Sequence, residues 1–275
     1  MSCNLFSDKI EKAFKPAIGL EIFHNFTLLH DDIMDKADLR RNKPTVHKKW
    51  NDNVAILSGD AMMIKAYEFF FDLEPELLSG VLPVFNKTAL QVCEGQQYDM
   101  NFETRNDVST EEYMHMIELK TAVLLAGSLK IGALIGGADE KDTEALYQFG
   151  INLGIAFQLQ DDYLDVYGDV NTFGKQIGGD IASNKKTFML LSALEKATGD
   201  TKNKLQKLLQ QKNEAETKIK EVTDIYNQLH IPEIVKERLT YFQEKAMAYL
   251  DSVKVSEEKK KILKEISLNL LERKK

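Results

Sequence analysis

Apolar residues recur at three- and four-residue spacing through most of this chain, and only five prolines interrupt it. Ile18, Ile22, Phe26 and Leu29 form one stripe, and Val123, Leu124, Gly127, Ile131 and Leu134 a second. Leu146, Phe149, Leu153, Ala156, Phe157 and Gln160 form a third. This period puts each set on one side of an α-helix, whereas a half-buried strand alternates apolar and polar residues. Such alternation, bounded by turn residues, is nearly absent, so the pattern predicts an all-α fold. Turn residues predict breaks at Asn42–Pro44, Glu74–Pro75, Gly80–Pro83, Arg105–Ser109, Gly136–Asp139, Gly168–Gly179 and Ile231–Pro232. Ser109 followed by Glu112 reads as a capping box that opens the helix carrying Lys120 and Thr121.

No Ser- or Gly-rich linker divides the chain, so a single domain over residues 1–275 is expected. With 43% hydrophobic residues it can bury a large core. From about Thr201 onward, Lys and Glu at helical spacing predict amphipathic helices packed on that core. A net charge of −7 argues against wholesale binding to nucleic acid. Two cysteines, Cys3 and Cys93, without zinc-type spacing point to a reducing compartment. No uninterrupted apolar run approaches membrane-spanning length and the start lacks a signal layout. A cytoplasmic protein with no integral membrane segment is therefore expected.

The chemistry concentrates in two acidic clusters, LLHDDIMDKADLRRNKPTVH (Leu28 to His47) and QLQDDYLDVYGD (Gln158 to Asp169). Residues i and i+4 share a helix face one turn, about 5.4 Å, apart. Asp31 and Asp35 therefore point together with Asp32 to one side, and Asp161, Asp162 and Asp165 repeat the arrangement. Each cluster ends an apolar stripe, a costly place for unneutralised carboxylates. Hard oxygen ligands on one face suit Mg2+, which keeps water and phosphate oxygens in its remaining positions. Two such clusters across a cavity would hold a diphosphate through bridging ions. Basic residues follow in support: Arg40, Arg41, Lys43 and His47 after the first cluster, Lys175, Lys185 and Lys186 after the second. Lys120 sits among apolar neighbours, where an ammonium needs an anionic partner.

LLHDDIMD, RRNKPTVH, the GQ of CEGQQYD, KTA, FQLQDDYLD, GKQIGGD and NKKT together resemble the trans-isoprenyl diphosphate synthase (polyprenyl synthetase) family. The resemblance runs from about Ile18 to Lys186. It implies a bundle of long helices around a deep central cavity, usually as a homodimer. The implied reaction is Mg2+-dependent head-to-tail joining of isopentenyl diphosphate to an allylic diphosphate, with three ions around the bound diphosphate. Carried over, Asp31 and Asp35 bind metal from one side and Asp161 from the other, with Asp32, Asp162 and Asp165 in direct contact or one layer behind. Arg40, Lys120, Lys175 and Lys185 assist the leaving diphosphate. Thr121 and Gln158 resemble the residues whose oxygens face the developing carbocation. Phe157 resembles the aromatic that shapes the isopentenyl side, and Arg41 the residue that reaches isopentenyl diphosphate.

Counting back from Asp31, Thr27 lies one turn down the same face and Phe23 two, with Phe26 offset. A turn matches roughly one isoprene unit in length. Small Thr27 leaves room beneath the diphosphate, and Phe23 or Phe26 forms a floor, so a farnesyl or geranylgeranyl product of fifteen or twenty carbons is expected. The alternatives are a longer-chain synthase, a class I terpene cyclase and the regulatory subunit of a two-component synthase. The family also carries an upstream Gly-Gly-Lys-Arg-x-Arg-Pro segment, where this sequence reads MSCNLFSDKI. The expectation is that the natural chain has that segment; without it, condensation would be weak.

Overall fold

The structure is a computed structural model that describes residues 1–168, 177–210 and 215–271. Its helices are α1 (Ser2–Phe6), α2 (Phe14–Met34), α3 (Val46–Lys49), α4 (Asp52–Glu68), α5 (Pro75–Thr104), α6 (Thr110–Ile117) and α7 (Val123–Gly136). They continue as α8 (Glu140–Tyr167), α9 (Gly179–Ser183), α10 (Phe188–Lys196), α11 (Gly199–Gln210), α12 (Ala215–Gln228), α13 (Ile231–Ser252) and α14 (Glu257–Leu271). A five-residue π-helical turn, Glu118–Ala122, joins α6 to α7, and Glu11–Ala13 is a single 3-10 turn. The all-α expectation holds. Among the described residues the one sheet is a two-stranded hairpin, β1 (Leu39–Arg40) antiparallel to β2 (Lys43–Pro44).

Backbone contacts divide the chain into two compact units, residues 1–89 with 127–147 and residues 90–126 with 148–275. In the first, α2 packs along α4. Phe23 anchors its aromatic core, edge-on to Phe85 at 5.3 Å between ring centroids, with Phe70 4.7 Å from Phe85. The buried face of α2 is Gly19, Phe23 and Phe26. The predicted stripe is rotated from this, because Ile18 is 48% exposed. Along α8, Leu146, Phe149, Leu153 and Ala156 are buried as predicted, whereas Phe157 and Gln160 at the end of that stripe are half-buried.

Two sequence expectations need correction. The break at Gly80–Pro83 does not occur, since α5 runs through Pro83. A proline inside a helix costs about 3 kcal/mol. Burial of Val81, Phe85, Ala89 and Val92 along the same helix outweighs this, at roughly 1.5–3 kcal/mol for each large side chain. The second concerns apolar length: the run Thr110–Gly136 is long and apolar enough to cross a membrane by length and composition. Half of its most apolar window is buried within the protein, including Ala122, Val123, Ala126 and Ile131, so packing accounts for its character.

The breaks at Arg105–Ser109 and Gly136–Asp139 fall between helices, and Ile231–Pro232 opens α13 with proline in its first turn. The capping box is present: Glu112 N–H donates to Ser109 Oγ at 3.1 Å, and Ser109 N–H donates to Glu112 Oε2 at 3.0 Å.

Candidate active site

The first acidic cluster lies where α2 ends. Asp35 is the residue after the helix, and its N–H still donates to Asp31 O at 2.9 Å. Asp31 is half-buried, Asp35 exposed and Asp32 buried. The hairpin returns the chain onto the cluster: Arg40 Nε donates to Asp32 Oδ1 at 2.7 Å and Nη2 to Asp31 Oδ2 at 3.3 Å. The turn is made by Arg41 and Asn42 at φ 51° and 60°, left-handed positions that a two-residue hairpin of matching twist requires. Thr45 Oγ1 then fastens the segment by donating to Ala37 O at 2.7 Å.

Sequence reading missed His24. It precedes Asp31 by two helical turns and Thr27 by three residues, so all three share one side of α2. Burial lowers its proton affinity most, opposed by Glu21, and the charges of Arg41 and Arg40 lower it further. The i, i+3, i+7 spacing from His24 to Asp31 was the available signal. Below the cluster, Phe23 and Phe26 are buried, their ring centroids 5.6 Å apart. Thr27 Oγ1 donates to His24 O at 2.8 Å, so its hydroxyl is satisfied inside the helix and the side chain is effectively apolar.

The second cluster lies on the last turns of α8, and its three carboxylates do different things. Asp161 is half-buried. Asp162 is buried and accepts from Tyr113 Oη and from Gln158 Nε2, the latter at 3.0 Å. Burial, then the charge of Asp180, raises its pKa to about 7, against the hydrogen bonds from Tyr113 and Gln158 and the charge of Lys185. Asp165 Oδ2 accepts from Asp180 N–H at 3.0 Å, so it fastens the start of α9. Lys185 is exposed, and Lys175 lies outside the described residues.

Lys120 and Thr121 both stand on the π-helical turn. The carboxylate partner that Lys120 required is supplied by the chain itself: Nζ is 2.6 Å from Asp99 Oδ2. Asp99, at the end of EGQQYD on α5, was not singled out in the sequence. Thr121 Oγ1 donates to Gln158 Oε1 at 3.1 Å, which completes a line Thr121–Gln158–Asp162–Tyr113. Phe157 is half-buried one residue before Gln158.

The fold and site thus define a predominantly helical protein with carboxylate-rich ends on two long helices, accompanied by basic or amide side chains. The Polyprenyl synthetase family profile matches residues 1–226, and the chain belongs to that family. A geranylgeranyl diphosphate synthase from Methanosarcina mazei is 42% identical over 198 residues, 71% of this chain and 61% of that protein. The matched chain thus spans less than two thirds of that relative's length. The crystal structure of a geranylgeranyl pyrophosphate synthase, 45% identical, matches with a TM-score of 0.94 over 100% of this chain and 85% of its own. A geranylgeranyl pyrophosphate synthase from Corynebacterium glutamicum, solved with isoprenyl diphosphate and magnesium, is 28% identical with a TM-score of 0.87, covering 98% of this chain and 84% of its own.

Proposed function

We propose that the protein condenses isopentenyl diphosphate with an allylic diphosphate, head to tail, to a trans-polyprenyl diphosphate of fifteen to twenty carbons. The observation that carries this is the line from Thr121 through Gln158 to Asp162. Because Thr121 donates to Gln158 Oε1, the lone pairs of its own oxygen stay available to a passing cation. Family membership makes an allylic carbocation the cation in question.

Mg2+ fits the donors. Among the described residues no group of three or more His, Cys, Asp or Glu closes around an ion. The clusters offer carboxylate oxygens, the hard donors that Mg2+ takes few at a time, completing its octahedron with water and phosphate oxygens. Asp31 and Asp35 at the end of α2 would hold Mg2+, with Asp32 one layer behind, tied to Arg40, and Asp161 on α8 would be a ligand in the second cluster. Asp162 supports Gln158, and Asp165 the start of α9. When bound, the metal supplies positive charge to the departing diphosphate. Lys120, oriented by Asp99, adds a fixed cation where charge develops. Arg41 with His24 serves the isopentenyl diphosphate, and Phe23 or Phe26 limits chain growth. Leu57 and Ile64 on α4, one heptad apart and 69% and 67% exposed, support a homodimer. A cytoplasmic location agrees with the two free cysteines.

The test is incubation of purified protein with Mg2+, isopentenyl diphosphate and primers of five, ten and fifteen carbons. Linear C15–C20 diphosphates are expected. Cyclic hydrocarbon from the fifteen-carbon primer alone would indicate a cyclase, and turnover only with an added subunit would indicate a regulatory chain.

A further inference from the structure

The π-helical turn Glu118–Ala122 is a local departure with an identifiable bond, as Val123 N–H donates to Glu118 O five residues back. One residue more than an α-helical turn is accommodated there, a distortion that must be held in place by its surroundings. Two glycines do the holding. A Cβ placed on Gly95 of α5 would stand 2.6 Å from Lys120 Cα and 2.7 Å from Leu119 C. A Cβ on Gly154 of α8 would stand 2.5 Å from Ala122 Cα and 2.7 Å from its Cβ. The atoms met are backbone or a methyl fixed to it, which cannot swing aside, so both helices approach this turn more closely than any side chain permits.

The same two helices also hold the side chains of the turn, each four residues further on. Asp99, one turn beyond Gly95, takes Lys120 Nζ at 2.6 Å, and Gln158, one turn beyond Gly154, takes Thr121 Oγ1 at 3.1 Å. Residues i and i+4 lie on one helix face. Each helix therefore presents a glycine for backbone contact and, directly above it, a polar group for the side chain. We propose that Gly95–Asp99 and Gly154–Gln158 form a two-jawed clamp that fixes the π-helical turn and thereby sets the positions of Lys120 and Thr121. Gly154 is a positioning residue that acts through Thr121, and Gly95 and Asp99 are positioning residues that act through Lys120. The role in catalysis rests on the condensation proposed above, while the clamp itself is a statement about structure.

A displacement of about 1 Å at reacting groups can cost 100-fold in rate. Gly154→Ala is expected to lower kcat at least about tenfold while leaving KM for isopentenyl diphosphate within about twofold. The decisive arm is a cycle with Thr121→Ala. If Gly154 acts through Thr121, adding Gly154→Ala to Thr121→Ala costs less than about twofold further, because the group being positioned is gone. Equal losses in both backgrounds, or a Gly154→Ala enzyme with unchanged kcat, would overturn the proposal. For the other jaw, Asp99→Asn keeps the volume and touches no backbone, so it serves even where Gly95→Ala fails to fold. Acetylation of Lys120 by acetic anhydride, followed by peptide mass spectrometry, should quicken several-fold in Asp99→Asn. An unchanged rate would remove that jaw. This readout needs no turnover: a wild-type protein that condenses nothing refutes the functional reading and leaves the clamp to be judged on Lys120 reactivity.

Discussion

Arg40 Nε lies 2.7 Å from Asp32 Oδ1, and the carboxylate it meets is only 5% exposed at the end of a helix whose preceding turns are apolar. Repulsion among the acids at the end of α2 is thus partly answered by the chain, which spends a hairpin on bringing this guanidinium back. Removing it leaves Asp32 buried without its main cation. Arg40→Ala is expected to lower the unfolding free energy by about 1–2 kcal/mol, reduced from the fully buried case because the guanidinium is half-exposed. Arg40→Lys should recover only part of this, since an ammonium cannot reach Asp31 and Asp32 as a fork. Denaturant titrations of the three proteins decide the point, and equal midpoints would show the pair to be energetically idle.

Asp162 links stability to pH in the opposite sense from a salt-bridged acid. Its folded pKa of about 7 lies above its ordinary 3.8, so the folded state binds the proton more tightly. The stabilisation is complete below pH 3.8, shrinks as pH rises towards 7, and levels off above. Asp162→Asn should therefore gain stability relative to wild type as pH goes from 4 to 8, on the order of a few kcal/mol. The same substitution should reduce turnover. An asparagine that still accepts from Tyr113 offers its NH2 to Gln158, which must turn its amide and then donate to Thr121. The threonine lone pair is consumed, so a more stable and slower enzyme is expected. Unfolding curves at both pH values and kcat at pH 8 check the two halves separately.

The helices, the capping box at Ser109 and the acidic helix ends were legible because each depends on local spacing. Periodicity, a cap and i, i+4 pairs are properties of ten or twenty consecutive residues. What escaped depends on partners far along the chain. Ile18 stays exposed while Gly19 turns inward, because the packing of α2 along α4, not local hydrophobicity, selects the face. Pro83 looked like a break because local propensity cannot weigh the burial of Val81 and Phe85. Asp99 and Asp162 were visible as acids, yet their tasks are defined by Lys120 and Tyr113, 21 and 49 residues away in sequence, which no motif places beside them.

Phe26 and Phe23 lie about one and two turns below the level of Asp31, and both are buried, at 7% and 0% exposure. Phe26→Ala is the milder change and should lengthen the product by at least one isoprene unit if the ring forms the floor. Phe23→Ala also removes packing against Phe85 and should cost about 3–5 kcal/mol. The comparison is chromatography of dephosphorylated products from each single variant and the double variant at a temperature where all are folded. Identical product lengths throughout would mean that chain growth is limited elsewhere.

Leu57 and Ile64 project from one face of α4 at seven-residue spacing, with Val54 and Ile56 also exposed nearby on that helix. Large apolar side chains at such exposure cost free energy unless another surface covers them, and a second copy of the chain is the occupant proposed here. Leu57→Glu together with Ile64→Glu should then shift the protein to monomer in sedimentation velocity at micromolar concentration, because burying two carboxylates without partners opposes association. The helix itself should survive, since both positions face outward and Glu is a good helix former. Far-ultraviolet circular dichroism should therefore be unchanged while the sedimentation coefficient falls. A wild-type protein that already sediments as a monomer at micromolar concentration, or a double variant that stays dimeric, would show that this face is not the dimer contact.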